Sequence, residues 1–97
     1  MPAEQTYHVY IVRCADRSLY VGSTEDLAGR VRTHNTGHGP IFTRIRLPVE
    51  LVYSEPFPTR SEARVREIQV KKWSHAKKQA LIAGDKAVLT RLSKRRT

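Results

Sequence analysis

Two short apolar segments, each with a tyrosine inside it, most constrain how this chain can fold. Residues 9–14 are rich in β-branched side chains, and residues 19–22 regain that character after the turn-forming sequence Ala-Asp-Arg-Ser. This pattern predicts a β-hairpin. Because side chains alternate between the two faces of a strand, Tyr10 and Tyr20 share a face only if the turn sets the matching register.

A helix is predicted directly after the hairpin. Ser23 or Thr24 is suited to begin it, and Asp26 lies three positions after Ser23, as in a capping box. Arg30 and His34 are four residues apart in the helical pattern that follows, so they share one helix face. We therefore expect two tyrosines, an arginine and a histidine to lie in one small region.

The rest of the chain predicts one more strand and further helices. The strand covers residues 49–54 and is expected to be ended by Pro56 and Pro58, and residues 41–47 form a short helix or an irregular turn. The fold class is therefore α/β, more strictly α+β, with a small three-stranded antiparallel sheet flanked by helices. The later helices are predicted over residues 60–73, with Thr59 as N-cap, over 75–83, with Ser74 as N-cap and Gly84 as its stop, and over 85–92.

A chain of 97 residues has room for one domain with a modest core. We expect a frayed N-terminus over residues 1–6, the folded domain over 7–83, and a short helix with a basic tail over 84–97. No apolar run approaches the roughly 20 residues of a membrane span, and the first residues do not resemble a secretion signal, so we expect a cytoplasmic protein. Cys14 is the single cysteine, which excludes an internal disulfide.

The net charge of +9 is concentrated at the end of the chain. Residues 1–70 contribute +1, whereas residues 71–97 contribute +8. Clustered cations favour a polyanionic partner, because they release condensed counterions from a phosphate backbone. A solubilising face is the simpler alternative. In the predicted helix over residues 75–83, alanines form the apolar side and Lys77 and Lys78 lie opposite.

Glu67 lies at the border between the apolar and the cationic sides of the helix predicted over residues 60–73. Glu67 and Lys71 are four residues apart, a common spacing for a helical ion pair. From the helix alone, an ion pair is therefore favoured over a metal ligand.

Tyr10, Tyr20, Arg30, His34 and Glu67, with some of their neighbours, form an ordered series of motifs along the chain. It resembles that of the GIY-YIG nuclease family, and the chain is similar to the small stand-alone YhbQ-like members of that family over roughly residues 7–83. Two features depart from the family pattern: valine replaces the first glycine, and only eight residues separate Ile11 from Tyr20. The matching positions are Val9-Tyr10-Ile11, Tyr20-Val21-Gly22, Arg30, His34-Asn35 and Glu67.

The resemblance implies a metal-dependent endonuclease of nucleic-acid phosphodiester bonds. It implies Tyr10 as general base or water-positioning group with Tyr20 assisting, Arg30 on the phosphate, and Glu67 as ligand of one Mg²⁺ or Mn²⁺ ion. A phenol with a pKa of about 10 is a poor base at neutral pH, so Tyr10 requires a perturbing neighbour. His34 is the candidate, either as acceptor of the tyrosine's proton or as the group that orders the water. Alternatively, the tyrosines are cross-strand packing residues and His34 is a cation at a helix C-terminus.

Nucleic acid is the expected partner, with DNA favoured and RNA possible, in repair, recombination or processing. The alternatives are a nucleic-acid-binding module without turnover and a domain whose basic helix binds an acidic protein. The sequence leaves the oligomeric state and the substrate structure open. The candidate phosphate contacts are Arg44, Arg64, Lys71, Lys72, Lys77, Lys78, Lys94, Arg95 and Arg96.

Overall fold

The computed structural model describes the backbone of residues 6–96 and the side chains of residues 6–93. Within that range no helix has both the length and the apolar character needed to cross a membrane. In chain order the elements are β1 (Tyr7–Arg13), β2 (Leu19–Thr24), α1 (Leu27–Asn35), α2 (Ile41–Arg44), β3 (Glu50–Phe57), α3 (Arg60–Lys71), α4 (His75–Ala83) and α5 (Lys86–Arg96).

The three strands form one antiparallel sheet in the order β2-β1-β3. This confirms the predicted fold class and the predicted hairpin. Tyr10 lies opposite Gly22, and Val12 lies opposite Tyr20. Residues that lie opposite one another point to the same face, so both tyrosines share one face of the sheet, as the hairpin required.

Strand β3 is longer than predicted. It continues through Pro56 to Phe57, so Pro56 does not end it, whereas Pro58 directly follows its last residue, as predicted. A central strand uses its backbone N–H groups to pair with a strand on each side, and proline has no N–H. Among the described residues β3 is an edge strand that pairs with β1 alone, so it tolerates Pro56.

The two faces of the sheet are covered by different helices. Val9 and Ile11 pack with Ala63 and Val70 of α3 on one face. On the other face Tyr10, Val12 and Cys14 pack with Val49 and with partly buried side chains of α1. The central strand β1 is therefore buried on both sides, which explains its nearly continuous apolar sequence.

Helix α1 lies where the sequence shows a helical pattern, but neither Ser23 nor Thr24 begins it. Asp26 is its N-cap, and the Asp26 carboxylate accepts a hydrogen bond from the backbone N–H of Gly29 at 3.0 Å. Ser23 and Thr24 instead remain in β2. At its other end, the amide of Asn35 donates to the carbonyl of Val49 and accepts from its N–H, which fixes α1 to the start of β3.

The predicted N-caps of the later helices are confirmed. Thr59 accepts from the N–H of Glu62 at the start of α3, and Ser74 accepts from that of Lys77 at the start of α4. Gly84 ends α4 in the left-handed conformation, with φ of +71°. The predicted apolar side of α4 was wrong, because Lys77 is buried together with Ala80.

Helix α5 extends further than predicted. Asp85 accepts from the N–H of Val88, and the helix runs to Arg96 rather than ending at Leu92. Residues 1–5 and Thr97 lie outside the described residues, as do the side chains of Lys94, Arg95 and Arg96.

Candidate active site

Tyr10 lies across the backbone of Gly22 in the neighbouring strand. A Cβ atom at position 22 would lie 2.5 Å from the Tyr10 hydroxyl oxygen and 2.6 Å from the ring carbon that carries it. The Tyr10 side chain is only 1% exposed and has no room to retreat. The glycine is therefore required for close approach, which places the phenol at the outer edge of the sheet.

The hydroxyl of Tyr10 contacts a fully buried histidine. The Tyr10 oxygen is 3.0 Å from Nε2 of His34, and the Tyr20 ring centroid is 5.4 Å from that of His34, edge to face. Nδ1 of His34 lies 2.8 Å from the hydroxyl of Thr43 in α2. Both ring nitrogens of His34 are therefore bonded inside the protein.

The hydrogen-bond network fixes the tautomer of His34. Thr43 has one hydroxyl proton, which it donates to the carbonyl of Pro40 at 3.1 Å. The Thr43 oxygen must then accept from Nδ1–H of His34. A neutral His34 consequently presents the lone pair of Nε2 to Tyr10, and Tyr10 donates its proton to it.

Tyr10 and His34 are both neutral near pH 7. Burial raises the pKa of Tyr10 to about 12, although the positive charge of Arg30 beside the phenol opposes that shift. Burial also lowers the pKa of His34, and Arg30 lowers it further. Desolvation therefore outweighs the guanidinium, and Tyr10 needs a proton acceptor, for which His34 is in place at 3.0 Å.

The neutral His34 makes stability depend on pH. The pKa of His34 is lower in the folded protein than its ordinary value near 6.5. Between these two pKa values the unfolded chain binds more protons than the folded protein does. The free energy of unfolding therefore falls as the pH decreases through this range. His34→Gln removes the imidazole and with it this pH dependence of the free energy of unfolding. We expect urea denaturation at pH 7.5 and 5.5 to show the wild type losing more stability than His34→Gln. An equal loss in the two proteins would contradict the neutral buried imidazole.

Glu67 is buried, with 4% exposure, and its carboxylate is held by three donors. The Ser23 hydroxyl donates to Oε1 at 2.7 Å, Arg64 contacts the same oxygen at 3.3 Å, and Lys71 lies 3.0 Å from Oε2. Burial alone would raise the pKa of Glu67, but the Ser23 hydrogen bond and the Lys71 and Arg64 cations together hold it below its usual range. The ion pair with Lys71, favoured from the helix alone, is present.

The carboxylate and the tyrosines approach from opposite faces of the sheet. Glu67 belongs to α3, which covers the face opposite Tyr10, yet it bonds to Ser23, which directly follows Gly22. The Lys71 ammonium reaches to 5.7 Å from the Tyr20 ring centroid, and the negative charge of Glu67 contributes to raising the pKa of Tyr10. The Lys71 ammonium therefore links the Glu67 carboxylate to the ring of Tyr20.

Glu67 fits a divalent ion that brings most of its own ligands. Within the described residues no three His, Cys, Asp or Glu side chains form a cluster. Mg²⁺ nevertheless often binds through one or two carboxylates together with waters and substrate phosphate. The hard oxygen of Glu67 suits such an ion once Lys71 leaves Oε2, and the Ser23 hydroxyl keeps the carboxylate in place.

The predicted phosphate contacts differ in how available they are. Arg44 in α2 and Lys72 after α3 are exposed, whereas Arg64 and Lys71 are exposed but bonded to Glu67. Lys77 is only 8% exposed and lies 4.1 Å from the Trp73 ring centroid. The structure thus favours the first four over Lys77, and also over Lys78, whose pKa is lowered by burial.

Three residues shape this site in ways that the sequence did not predict. Thr43 orients His34, Ser23 holds Glu67, and Gly22 makes room for Tyr10. Gly22 had a signal, because it closes the second signature triplet. Thr43 and Ser23 gave none, since their partners are nine and 44 positions away along the chain.

Comparison with known proteins assigns the family. The family model described as the GIY-YIG catalytic domain matches residues 6–80. A UPF0213 protein of Haloquadratum walsbyi is 52% identical over 75 residues, which cover 77% of this chain and 84% of that protein. A UPF0213 protein of Staphylococcus saprophyticus is 48% identical over 77 residues, which cover 79% and 94%.

Two structures solved by NMR resemble this one. The UPF0213 protein of Bacillus halodurans is 39% identical, with a TM-score of 0.54, and the match covers 82% of this chain and 85% of that one. A protein of E. faecalis is 32% identical, with a TM-score of 0.58 and coverage of 87% and 90%. With the match to the catalytic-domain model and the shared α+β fold, these relatives show that the chain belongs to the GIY-YIG family.

Proposed function

We propose that this protein is a metal-dependent endonuclease that hydrolyses phosphodiester bonds in nucleic acid, with DNA favoured over RNA. The observation that carries the proposal is the hydrogen-bonded series from Tyr10 through His34 to Thr43 at the edge of the sheet that also holds Glu67. The match to a model described as a catalytic domain supports it.

In this proposal Tyr10 and His34 act together as the base. A phenol with a pKa of about 12 is neutral at pH 7, so it can take a proton from water only as it gives up its own. Nε2 of His34 is placed to receive that proton at 3.0 Å. Thr43 keeps Nδ1–H engaged, so the ring holds the tautomer that the transfer needs.

Arg30 and Tyr20 position the substrate. The Arg30 guanidinium is exposed and lies beside the Tyr10 phenol, so a phosphate bound to it would place the attacked phosphorus close to the base. The charge of Arg30 is permanent and stabilises the negative charge that develops on the phosphate oxygens. Tyr20 packs against His34 and limits the directions in which a water can approach.

Glu67 would hold one Mg²⁺ or Mn²⁺ ion, with Ser23 fixing the orientation of its carboxylate. When bound, the ion would polarise the phosphate and stabilise the departing oxygen. An ion on Oε2 would take the place of the Lys71 ammonium, which would then be available to a neighbouring phosphate. The exposed Arg44 and Lys72 provide further cations for phosphate, and Lys94, Arg95 and Arg96 stay candidate phosphate contacts from the sequence. We place this activity in the cytoplasm, in DNA repair, recombination or nucleic-acid processing.

A second candidate, a nucleic-acid-binding module without turnover, has one observation in its favour. Both carboxylate oxygens of Glu67 are bonded to protein donors, Oε1 to Ser23 and Oε2 to Lys71. The negative charge of Glu67 is therefore already balanced by Lys71 without a metal ion. In that case Glu67 is structural, and the cationic surface alone binds the polyanion.

A panel of labelled DNA and RNA substrates separates the two candidates. Purified protein is incubated with single strands, duplexes, nicked duplexes and branched forms in Mg²⁺, in Mn²⁺ or in chelator. The endonuclease cleaves at least one form in either metal and none in chelator. Salt-sensitive binding to the panel without cleavage in any condition would leave the binding module.

A further inference from the structure

The ammonium of Lys71, the last residue of α3, lies beside the carboxylate of Glu67 one helical turn earlier. Glu67 is buried, and its Oε1 atom accepts from Ser23 at 2.7 Å and lies 3.3 Å from Arg64. On the other oxygen, Oε2, the described partner is the Lys71 ammonium at 3.0 Å. The position beside Oε2 is therefore already taken by a cation.

Lys71 can leave this position without a change in the fold. Its side chain is 45% exposed, so it is the solvated partner of the pair. A lysine ammonium is strongly hydrated and stands on a flexible stem, so water can replace the carboxylate as its partner. Ser23 belongs to β2 and keeps its hydrogen bond to Oε1, so the carboxylate stays oriented when the ammonium moves.

The charges around Glu67 disfavour a divalent ion as long as nucleic acid is absent. Lys71 and Arg64 bring two positive charges against the single negative charge of Glu67. A divalent cation therefore approaches a group of side chains whose net charge is already positive. Like charges repel one another more strongly at a partly buried site than in bulk water. We thus expect Mg²⁺ or Mn²⁺ to bind weakly until Lys71 is drawn away or further negative charge arrives.

A nucleic-acid phosphate supplies both a new partner for Lys71 and a new ligand for the ion. The Lys71 ammonium already lies 5.7 Å from the centroid of the Tyr20 ring, which packs against His34. A phosphate that binds at Tyr20 would therefore meet this ammonium and pair with it. The same phosphate offers oxygen to Mg²⁺, which usually binds through one or two carboxylates together with substrate phosphate.

We propose that Lys71 keeps the metal affinity of Glu67 low in the protein without nucleic acid and moves to a phosphate when nucleic acid binds, so that metal and nucleic acid bind cooperatively. This inference rests on the proposed function, because it concerns the loading of the same metal site. Such coupling is reciprocal: each ligand tightens the binding of the other by the same factor. The site would therefore take up its ion together with the phosphate on which it acts.

The chain offers a matched control for the loss of one positive charge. The test variant is Lys71→Met, which keeps an apolar stem but removes the ammonium. Lys71→Gln is a second test variant, because its amide can still donate to the buried carboxylate if Lys71→Met folds poorly. Lys71→Arg keeps the charge. The control is Lys72→Met, since Lys72 is the next residue, is exposed and makes no described contact with Glu67.

Metal affinity without nucleic acid is measured by titrating each protein with Mn²⁺ and following the electron paramagnetic resonance signal of the free ion. We expect Lys71→Met and Lys71→Gln to bind Mn²⁺ about tenfold more tightly than the wild type. Lys71→Arg and Lys72→Met are expected to stay within about twofold of the wild type, because the first keeps the charge and the second removes a solvated one. Equal affinity of the wild type and both test variants, or an equal gain in Lys72→Met, would overturn the inference.

The coupling itself is measured from the nucleic-acid side by fluorescence anisotropy, in chelator and in Mn²⁺ at matched ionic strength. The labelled strand carries phosphorothioate linkages, which resist hydrolysis, so cleavage plays no part. We expect Mn²⁺ to tighten binding by the wild type at least about fivefold more than binding by Glu67→Gln, which lacks the ligand charge. Lys71→Met is expected to show a smaller tightening than the wild type. The same tightening in all three proteins would contradict the coupling.

Cleavage of the substrate panel separates the failure of this inference from the failure of the proposed function. If the wild type cleaves in metal but neither test variant binds Mn²⁺ more tightly than the wild type, the role of Lys71 is wrong and the endonuclease stands. If the coupling is observed but no substrate is cleaved, the role of Lys71 stands and the endonuclease is wrong. If Mn²⁺ has no effect on any protein and nothing is cleaved, both are wrong.

Discussion

Replacing Tyr10 by phenylalanine is expected to slow phosphodiester cleavage by at least about a hundredfold while leaving nucleic-acid binding within about twofold of the wild type. The substitution removes one oxygen atom, which is the atom that would pass a proton from water to Nε2 of His34. The aromatic ring that packs over Gly22 remains. The loss is therefore one of proton transfer, measured as a single-turnover rate at saturating protein.

A stability measurement separates this loss from misfolding. Tyr10→Phe leaves the buried Nε2 of His34 without its donor, which costs about 1–3 kcal/mol of unfolding free energy. Tyr53→Phe is the matched control, because its hydroxyl donates to Glu55 on the other edge of the sheet. We expect both proteins to fold and only Tyr53→Phe to cleave at the wild-type rate. Wild-type cleavage by Tyr10→Phe would remove the proposed base.

Replacing Glu67 by glutamine is expected to reduce cleavage by at least about a hundredfold and to abolish its response to Mg²⁺. The amide keeps an oxygen for the Ser23 hydroxyl but lacks the charge that attracts an ion. It also releases Lys71 and Arg64 from their ion pairs. Because two freed cations are available to phosphate, nucleic-acid binding at low salt is expected to stay equal or become tighter.

Glu55→Gln provides the control for the change in charge. Glu55 accepts from Arg66 at 2.6 Å and from Tyr53, so its substitution also removes one negative charge and releases a cation. We expect this protein to keep the wild-type rate and the wild-type metal response. If Glu55→Gln slowed cleavage as much as Glu67→Gln, the effect would be one of overall charge rather than of an ion at Glu67.

The parts of the fold that the sequence predicted correctly depend on neighbours close in the chain. The hairpin follows from two β-rich segments around a four-residue turn, and the caps at Thr59 and Ser74 bond to N–H groups three residues later. The shared face of Tyr10 and Tyr20 follows from the same turn. In each case the physical cause lies within a few positions, so the pattern was sufficient.

The errors arose where distant contacts decide the outcome. Ser23 was expected to begin a helix, but its hydroxyl is taken by Glu67, 44 positions later, and Asp26 caps α1 instead. Pro56 was expected to end β3, but it lies in a strand whose free edge tolerates it. Lys77 was expected on the side of the helix opposite the apolar alanines, but it is buried and packs on Trp73. None of these partners could be chosen without the tertiary fold.

In the candidate site, too, the features set by local spacing were predicted and those set by distant contacts were not. The spacing of Arg30 and His34 indicated that they would share a helix face with access to the tyrosines. The sequence did not reveal how deeply His34 is buried or that Thr43 bonds it. Those two facts set the protonation states: Tyr10 and His34 are both neutral, and His34 can accept the proton of Tyr10.

The central claim is that Tyr10 and Glu67 serve one site although they approach it from opposite faces of the sheet. Its most direct test is a double-mutant cycle on the single-turnover cleavage rates of the wild type, Tyr10→Phe, Glu67→Gln and the double variant. Groups that act as a unit give strongly non-additive losses, so we predict that the double variant is no slower than the slower single variant. Losses that multiply in the double variant, or a single variant that cleaves at the wild-type rate, would contradict the claim.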